Sequence, residues 1–98
     1  MNNRIKLHEL LLSLGCPNVY YQAPNNIKYP CIKYNMSRIN NKNANNLVYK
    51  QDIAYTIIVM SKNVNYDVVE KVSKLPMCSF DRRYVKDNIY HTAFTIYY

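Results

Sequence analysis

Lys50-Gln51-Asp52-Ile53-Ala54-Tyr55-Thr56-Ile57-Ile58-Val59-Met60-Ser61 is the stretch on which the fold turns. Successive side chains of an extended chain point to opposite sides, so Ile53, Tyr55, Ile57 and Val59 share one face and Ala54, Thr56, Ile58 and Met60 the other. Apolar character on both faces marks a central strand covered on both sides, and a neighbouring subunit is a candidate for one of the covers.

Upstream, residues 39 to 46 hold five asparagines and Lys42 without a period, which predicts a solvated connection or a projecting hairpin tip. Before it, Ile32, Tyr34, Met36 and Arg38 alternate with Cys31, Lys33, Asn35 and Ser37, a half-buried strand over Pro30 to Arg38. Val19 to Gln22, bounded by Pro17 and Pro24, reads as a short strand at a sheet edge. Ile5, Leu7, Leu10, Leu11, Leu12 and Leu14 recur mostly at three- and four-residue separations, which predicts a helix over 3 to 14. Asn2 or Asn3 can cap its start, and Gly15 with Pro17 ends it.

Downstream, Val68, Val69, Val72 and Leu75 form one stripe of a second helix, capped by Asn65 or Asp67 and stopped by Pro76. Met77 to Val85 reads as a short strand or extended turn. Asp87-Asn88 is a turn, and Ile89 to Tyr98 is a terminal strand of strict alternation. The order is α-β-β-β-α-β-β. It predicts an α+β fold, a mainly antiparallel sheet of four to five strands with two helices packed on one face.

A chain of 98 residues encloses one hydrophobic core, so residues 1–98 are expected to form one domain. Eleven tyrosines suit sheet faces and protein interfaces, since each ring buries apolar area while its hydroxyl still needs water or a partner. With Gly15 the only glycine, turns fall to the asparagines and prolines. Thirteen Lys and Arg against six Asp and Glu give +7, enough to attract an acidic surface or a nucleic-acid backbone. The cations are scattered, however, and only Arg82 and Arg83 are adjacent.

No apolar run approaches the ~20 residues of a membrane-spanning helix. Arg4 and Lys6 precede a leucine run in the manner of a leader, but Glu9 interrupts it and no small-residue cleavage site follows, so the expected compartment is the cytoplasm. Cys16, Cys31 and Cys78 are widely spaced and have no Cys-x-x-Cys pairing, which favours reduced, buried thiols over a metal site.

Catalytic patterns are hard to find. Asp67 and Glu70 share a helix surface with Lys71 and Lys74, where ion pairing accounts for them. Asp81 sits between Phe80 and Arg82-Arg83, as a turn brace or as an interface group holding a charge-assisted hydrogen bond. His91 reads as a sheet histidine that meets His8 only if the fold brings the two together. Phosphate loops, nucleophile elbows and His-Glu-x-x-His patterns do not occur. The expectation is a non-enzyme without cofactor or metal. Nucleic-acid binding is the competing function, since cations and aromatics together can form a stacking platform in a basic groove.

Leu75-Pro76-Met77-Cys78-Ser79-Phe80-Asp81-Arg82-Arg83-Tyr84-Val85-Lys86-Asp87-Asn88-Ile89-Tyr90-His91-Thr92-Ala93-Phe94-Thr95-Ile96-Tyr97-Tyr98 resembles the C-terminal part of a family of tailed-phage proteins, the tail terminator, tail completion or head-tail joining proteins. Tyr29-Pro30-Cys31-Ile32-Lys33-Tyr34 resembles that family's first core strand. Val19-Tyr20-Tyr21-Gln22-Ala23-Pro24 and the Tyr55 to Val59 stretch lie where the family has them. Residues 39 to 47 depart from it, being Asn-rich where an acidic or glycine-bearing connection is usual.

The resemblance implies a structural virion protein that forms a ring, usually a hexamer, in the neck at the head-proximal end of the tail. There it would end tube polymerisation and join tail to head connector during virus assembly in the host cytoplasm. Its partners would be further copies of itself, the tail tube protein and a head-connector or head-completion protein, with DNA passing through the lumen unspecifically and no membrane involved. A closed ring needs two different adhesive surfaces per subunit. Tyrosine and arginine often anchor interfaces, so Asp81, Arg82, Arg83, Tyr84 and Tyr97, with Asn41, Lys42 and Asn43 of the Asn-rich segment, are the candidate interface residues. Packing within the chain is the alternative role for Arg82, Arg83, Tyr84 and Tyr97.

Overall fold

A computed structural model describes the chain over residues 3–22, 26–44 and 47–98, with side chains at those positions apart from 3 and 38–52. The elements are α1 (Asn3–Ser13), β1 (Val19–Tyr21), β2 (Cys31–Ala44), β3 (Leu47–Ser61), α2 (Asp67–Ser73), β4 (Cys78–Lys86) and β5 (Ile89–Tyr97). They build a five-stranded sheet in the order β1-β2-β3-β5-β4. Only β1 runs parallel to its neighbour; every other pair is antiparallel. The fold is α+β, with β3 central and the short β1 at an edge.

The alternation in the sequence becomes two sheet faces. Ile32 and Tyr34 of β2, Tyr55, Ile57 and Val59 of β3, and Phe94 and Ile96 of β5 join Leu7 and Leu11 of α1 and Val68 and Val72 of α2 in one core. Both helices therefore cover the same face, where their apolar stripes find the strands' larger residues. Tyr34, with no exposed surface, shares a hydrogen bond of 2.7 Å with His8 Nδ1. Across the sheet, Cys31, Met60 and Ile89 form a smaller cluster with Tyr20, Ile27 and Ile58, which covers one corner of the second face.

The helix ends show how the chain is terminated. Gly15 takes φ +98 just after α1, a left-handed conformation that glycine adopts without Cβ strain. Lys71 of α2 donates from Nζ to the Leu14 carbonyl at 3.2 Å and so serves an acceptor that α1 leaves open. The expected cap at Asn2 or Asn3 lies outside the described residues and side chains. For α2, the expectation of a cap at Asn65 or Asp67 is corrected: Tyr66 occupies the cap position and makes no side-chain cap bond. Its place in the core explains this, because Tyr66 packs against the main cluster and so fixes where the helix starts. Glu70 and Lys74 form the expected surface pair at 3.1 Å.

Two segments are more regular than their sequences imply. Residues 39–44 continue β2, and the pairing runs on from Ile39↔Ile53 through Asn41↔Gln51 and Lys42↔Lys50 to Ala44↔Leu47. The projecting hairpin is thus the alternative realised, as a two-stranded ribbon. The pairing of β5 with β3 stops at Ala54↔Tyr97, so no third strand accompanies the ribbon. Of the two readings of Met77 to Val85, short strand or extended turn, the strand is realised, as the nine-residue β4 from Cys78 to Lys86. It is paired with β5 through a two-residue turn in which Asp87 and Asn88 both have positive φ, 53° and 64°. That is the geometry a tight hairpin needs, and Asp and Asn tolerate it.

Candidate functional site

The face opposite the helices is where half of the candidate residues converge. Register across the sheet places Tyr20, Lys33, Ile58, Ala93 and Arg82 in one row from β1 to β4. A second row holds Asn35, Thr56, Thr95 and Ser79. The β4–β5 pairing slips between Phe80 and Arg82, so Asp81 is the extra residue of a bulge. Without the slip, Asp81 and Arg82 would point to opposite faces. With it, both lie on the open face.

The contacts there are specific. Thr95 donates from Oγ1 to Asp81 Oδ2 at 2.6 Å. Tyr84 and His91 stack with ring centroids 4.7 Å apart and planes inclined by 13°. The Arg82 guanidinium lies 5.2 Å from the Tyr84 centroid, within range of a cation–π contact. His91 Nδ1 donates to the Ile89 carbonyl at 2.9 Å; an acceptor there requires the proton on Nδ1, which leaves Nε2 as the acceptor of the neutral ring. Tyr97 stands on this face opposite Ala54. Four of the candidate residues, Asp81, Arg82, Tyr84 and Tyr97, therefore share one surface.

Arg83 does not join them. It lies on the helix side, donates to the Val64 carbonyl, and places its guanidinium 5.6 Å from the Tyr90 ring centroid. Together with Val64, Asn65, Tyr66, Asp67, Val69 and Glu70 it lines an open cleft of about 260 Å3 between α2 and β4. Phe80 and Val85 flank Arg83 on the same side of β4 and are 59% and 58% exposed. Exposed apolar side chains on an edge strand are unusual unless something covers them. Asn41, Lys42 and Asn43 lie in the ribbon, apart from both surfaces.

His8 and His91 sit on opposite faces of the sheet, His8 against Tyr34 and His91 against Tyr84. Among the described residues no three His, Cys, Asp or Glu side chains gather as a metal-ligating group. Burial pushes the Cys31 thiol up to about 11, with Cys16 reinforcing it, and the Cys78 thiol up to about 11, with Asp81 reinforcing it. Both are protonated near neutrality, so neither is an activated nucleophile. Among the described residues no helix is long and apolar enough to cross a membrane.

Sequence reasoning missed Lys33, Thr95, Phe80 and Val85 as parts of these surfaces. A two-residue turn at Asp87-Asn88 sets Tyr84 against His91 by counting alone, so that stack was available from the sequence. Lys33 reaches the row of Arg82 only through the β2–β3–β5 order, which no local pattern encodes. Comparison with family models, with curated proteins and with solved structures yields no match.

Proposed function

We propose that this protein is a ring-forming structural subunit of a phage-type tail, positioned at the head-proximal end of the tail tube, where it stops tube growth and offers a docking surface to the head connector. The resemblance of residues 75–98 and 29–34 to tail completion proteins supplies the assignment. The observation that carries it is the presence of two unlike, unpartnered β surfaces at different places on the sheet. One is the ribbon of β2 and β3 that outruns its neighbours. The other is the apolar side of the edge strand β4, with Phe80 and Val85 exposed beside the α2 cleft.

Head-to-tail contact between two different patches closes into a ring when the rotation per subunit closes. A self-complementary patch would give a dimer instead. Arg83 belongs to the second surface through the cleft, while Asp81, Arg82, Tyr84 and Tyr97 face away from it. Among the candidate residues, Arg83 is therefore the one assigned to the subunit contact.

The test is electron microscopy of lysates from a phage lacking this gene. Overlong, headless tail tubes are the expected result, and normal tails beside DNA-filled heads would move the protein to the joining step. Fully infectious particles would sink the structural assignment. In solution, light scattering should report an oligomer that Phe80→Asp reduces to monomer without loss of the circular dichroism signal.

A further inference from the structure

We infer that the open sheet face between β2 and β4 binds a single strand of nucleic acid, through its phosphates at the cationic margins and through its bases on the Tyr84–His91 stack. The inference goes beyond the ring assignment and stands on different residues, so failure of one leaves the other untouched.

The charged groups on this face begin the case. Lys33 on β2 and Arg82 on β4 occupy the two ends of one cross-strand row, with Ile58 and Ala93 between them. Three strand spacings separate them, roughly 14 Å. Lys86 adds a third cation four residues along β4, opposite Ile89. Against these three stands Asp81, whose carboxylate is already engaged by Thr95. Lys and Arg that are scattered in the sequence become two margins of one surface once the strands are ordered, and the charge complements a phosphate backbone.

The floor between the margins suits flat rings. Ala54 and Ala93 are small and lie buried among their neighbours, Asn35, Thr56 and Thr95 contribute short polar groups, and the half-buried Ile58 offers an apolar surface on which a ring can lie. At the β4 margin, Tyr84 is already stacked on His91 and already in contact with the Arg82 guanidinium. A base adds to such a stack at no cost in sequence preference, because every base has a π face. A sheet with helices on one face and aromatics with cations on the other is also the layout by which sheet-based modules hold single strands. An acidic protein is a poorer fit. The interior of a protein interface is built from several large apolar anchors, whereas at the centre of this face Ile58 stands among Asn35, Thr56, Ala93 and Thr95.

The experiment is fluorescence anisotropy with a labelled mixed-sequence DNA strand of about 16 nucleotides, a typical upper site size, and its duplex form. Each would be titrated at about 50 and about 200 mM salt. The single strand should bind more tightly than the duplex, and its log affinity should fall with log salt at a slope near −2 for three phosphate contacts. Lys33→Ala with Arg82→Ala should reduce the slope by about 1.4 and the affinity by about tenfold. Lys6→Ala with Lys74→Ala removes the same net charge from the helix side and should change affinity less than about twofold. Tyr84→Ala should weaken the single strand by about tenfold and the duplex far less.

Circular dichroism of every variant establishes that the fold persists. Equal losses from the two double variants would mean that net charge alone attracts the oligonucleotide, and would overturn the assignment. Absence of binding at the lower salt would overturn it too, as would a duplex held as tightly as the strand, or polyglutamate competing as well as unlabelled oligonucleotide.

Discussion

At the scale of single residues, burial sets the chemistry of the thiols and hydroxyls. Cys31 has no exposed surface, and its thiol is raised from 9.0 to about 11. The folded chain therefore keeps a proton that the unfolded chain releases, and the stability this contributes is complete below about pH 9 and lost as pH rises toward 11. Burial raises Tyr34, Tyr55 and Tyr66 in the same direction, which extends the loss above pH 10. Urea midpoints should hence fall from about pH 9 upward, and Cys31→Ala should flatten the first part of that decline. A midpoint that stays level to pH 10.5 in the parent protein would remove the argument. Tyr34→Phe should cost about 1 kcal/mol, because it removes the hydroxyl that His8 meets at 2.7 Å while keeping the ring in its place. His8→Ala in the same background should then add only the loss of its own packing, which a double-mutant cycle measures.

At the scale of elements, the period of each segment decides what a substitution does. Leu11 is fully buried on α1 and its neighbour Leu12 is 45% exposed. Leu11→Ala should cost about 3 kcal/mol and Leu12→Ala less than about 1, read from urea midpoints at constant slope. On β4, Arg82→Ala should leave stability within about 0.5 kcal/mol. Arg83→Ala should cost about 1 kcal/mol, because it frees the Val64 carbonyl, and should speed amide exchange in the segment leading into α2. The reason these neighbours differ is the bulge at Asp81, which is also where the sequence stopped being legible. Simple alternation from Cys78 groups Asp81 with Arg83, whereas the slipped register groups Asp81 with Arg82 and Tyr84. By contrast, both faces of β3 and β5 were readable, because alternation there is unbroken: Tyr55, Ile57, Val59, Phe94 and Ile96 land where the helices cover them, and Ile58, Met60 and Ile89 fall on the opposite face. The Asn-rich half of β2 was not readable as strand. Asparagine is a poor strand former, and what extends the pairing is the partner Leu47–Ile53 segment rather than any period within 39–44. The open face lies a step further from the sequence, since it exists only once β2 and β4 are known to flank β3 and β5.

At the scale of the whole molecule, shape points to the ribbon. The Cα radius of gyration is 14.7 Å and the principal extents are 51 × 23 × 23 Å, whereas a compact chain of this length has a radius of about 12.6 Å. The excess is an arm: residues 40–44 of β2 and 47–52 of β3 pair with each other beyond the last β3–β5 pair, and a two-stranded ribbon of this kind is marginal in water on its own. An arm of that kind persists at a cost unless it has somewhere to lie, and in the proposed ring the adjacent subunit would provide it. Replacing residues 40–52 by Asn-Gly keeps Ile39↔Ile53 as the last pair and closes it with a preferred two-residue turn. The shortened protein should retain its strand signal, and its thermal midpoint should shift by no more than about 5 °C. The core cluster lies in the five-stranded part of the sheet, and Ile53, which packs against it, is kept by the replacement. Light scattering should find the shortened chain monomeric under conditions where the full chain is oligomeric, and mixing the two should yield no mixed rings. If the shortened protein still oligomerises, the subunit contact runs through β4 and the helix side alone, and the ribbon is free for a different partner. If it unfolds, the ribbon contributes to the stability of the single chain, and the two-surface account of assembly loses one of its surfaces.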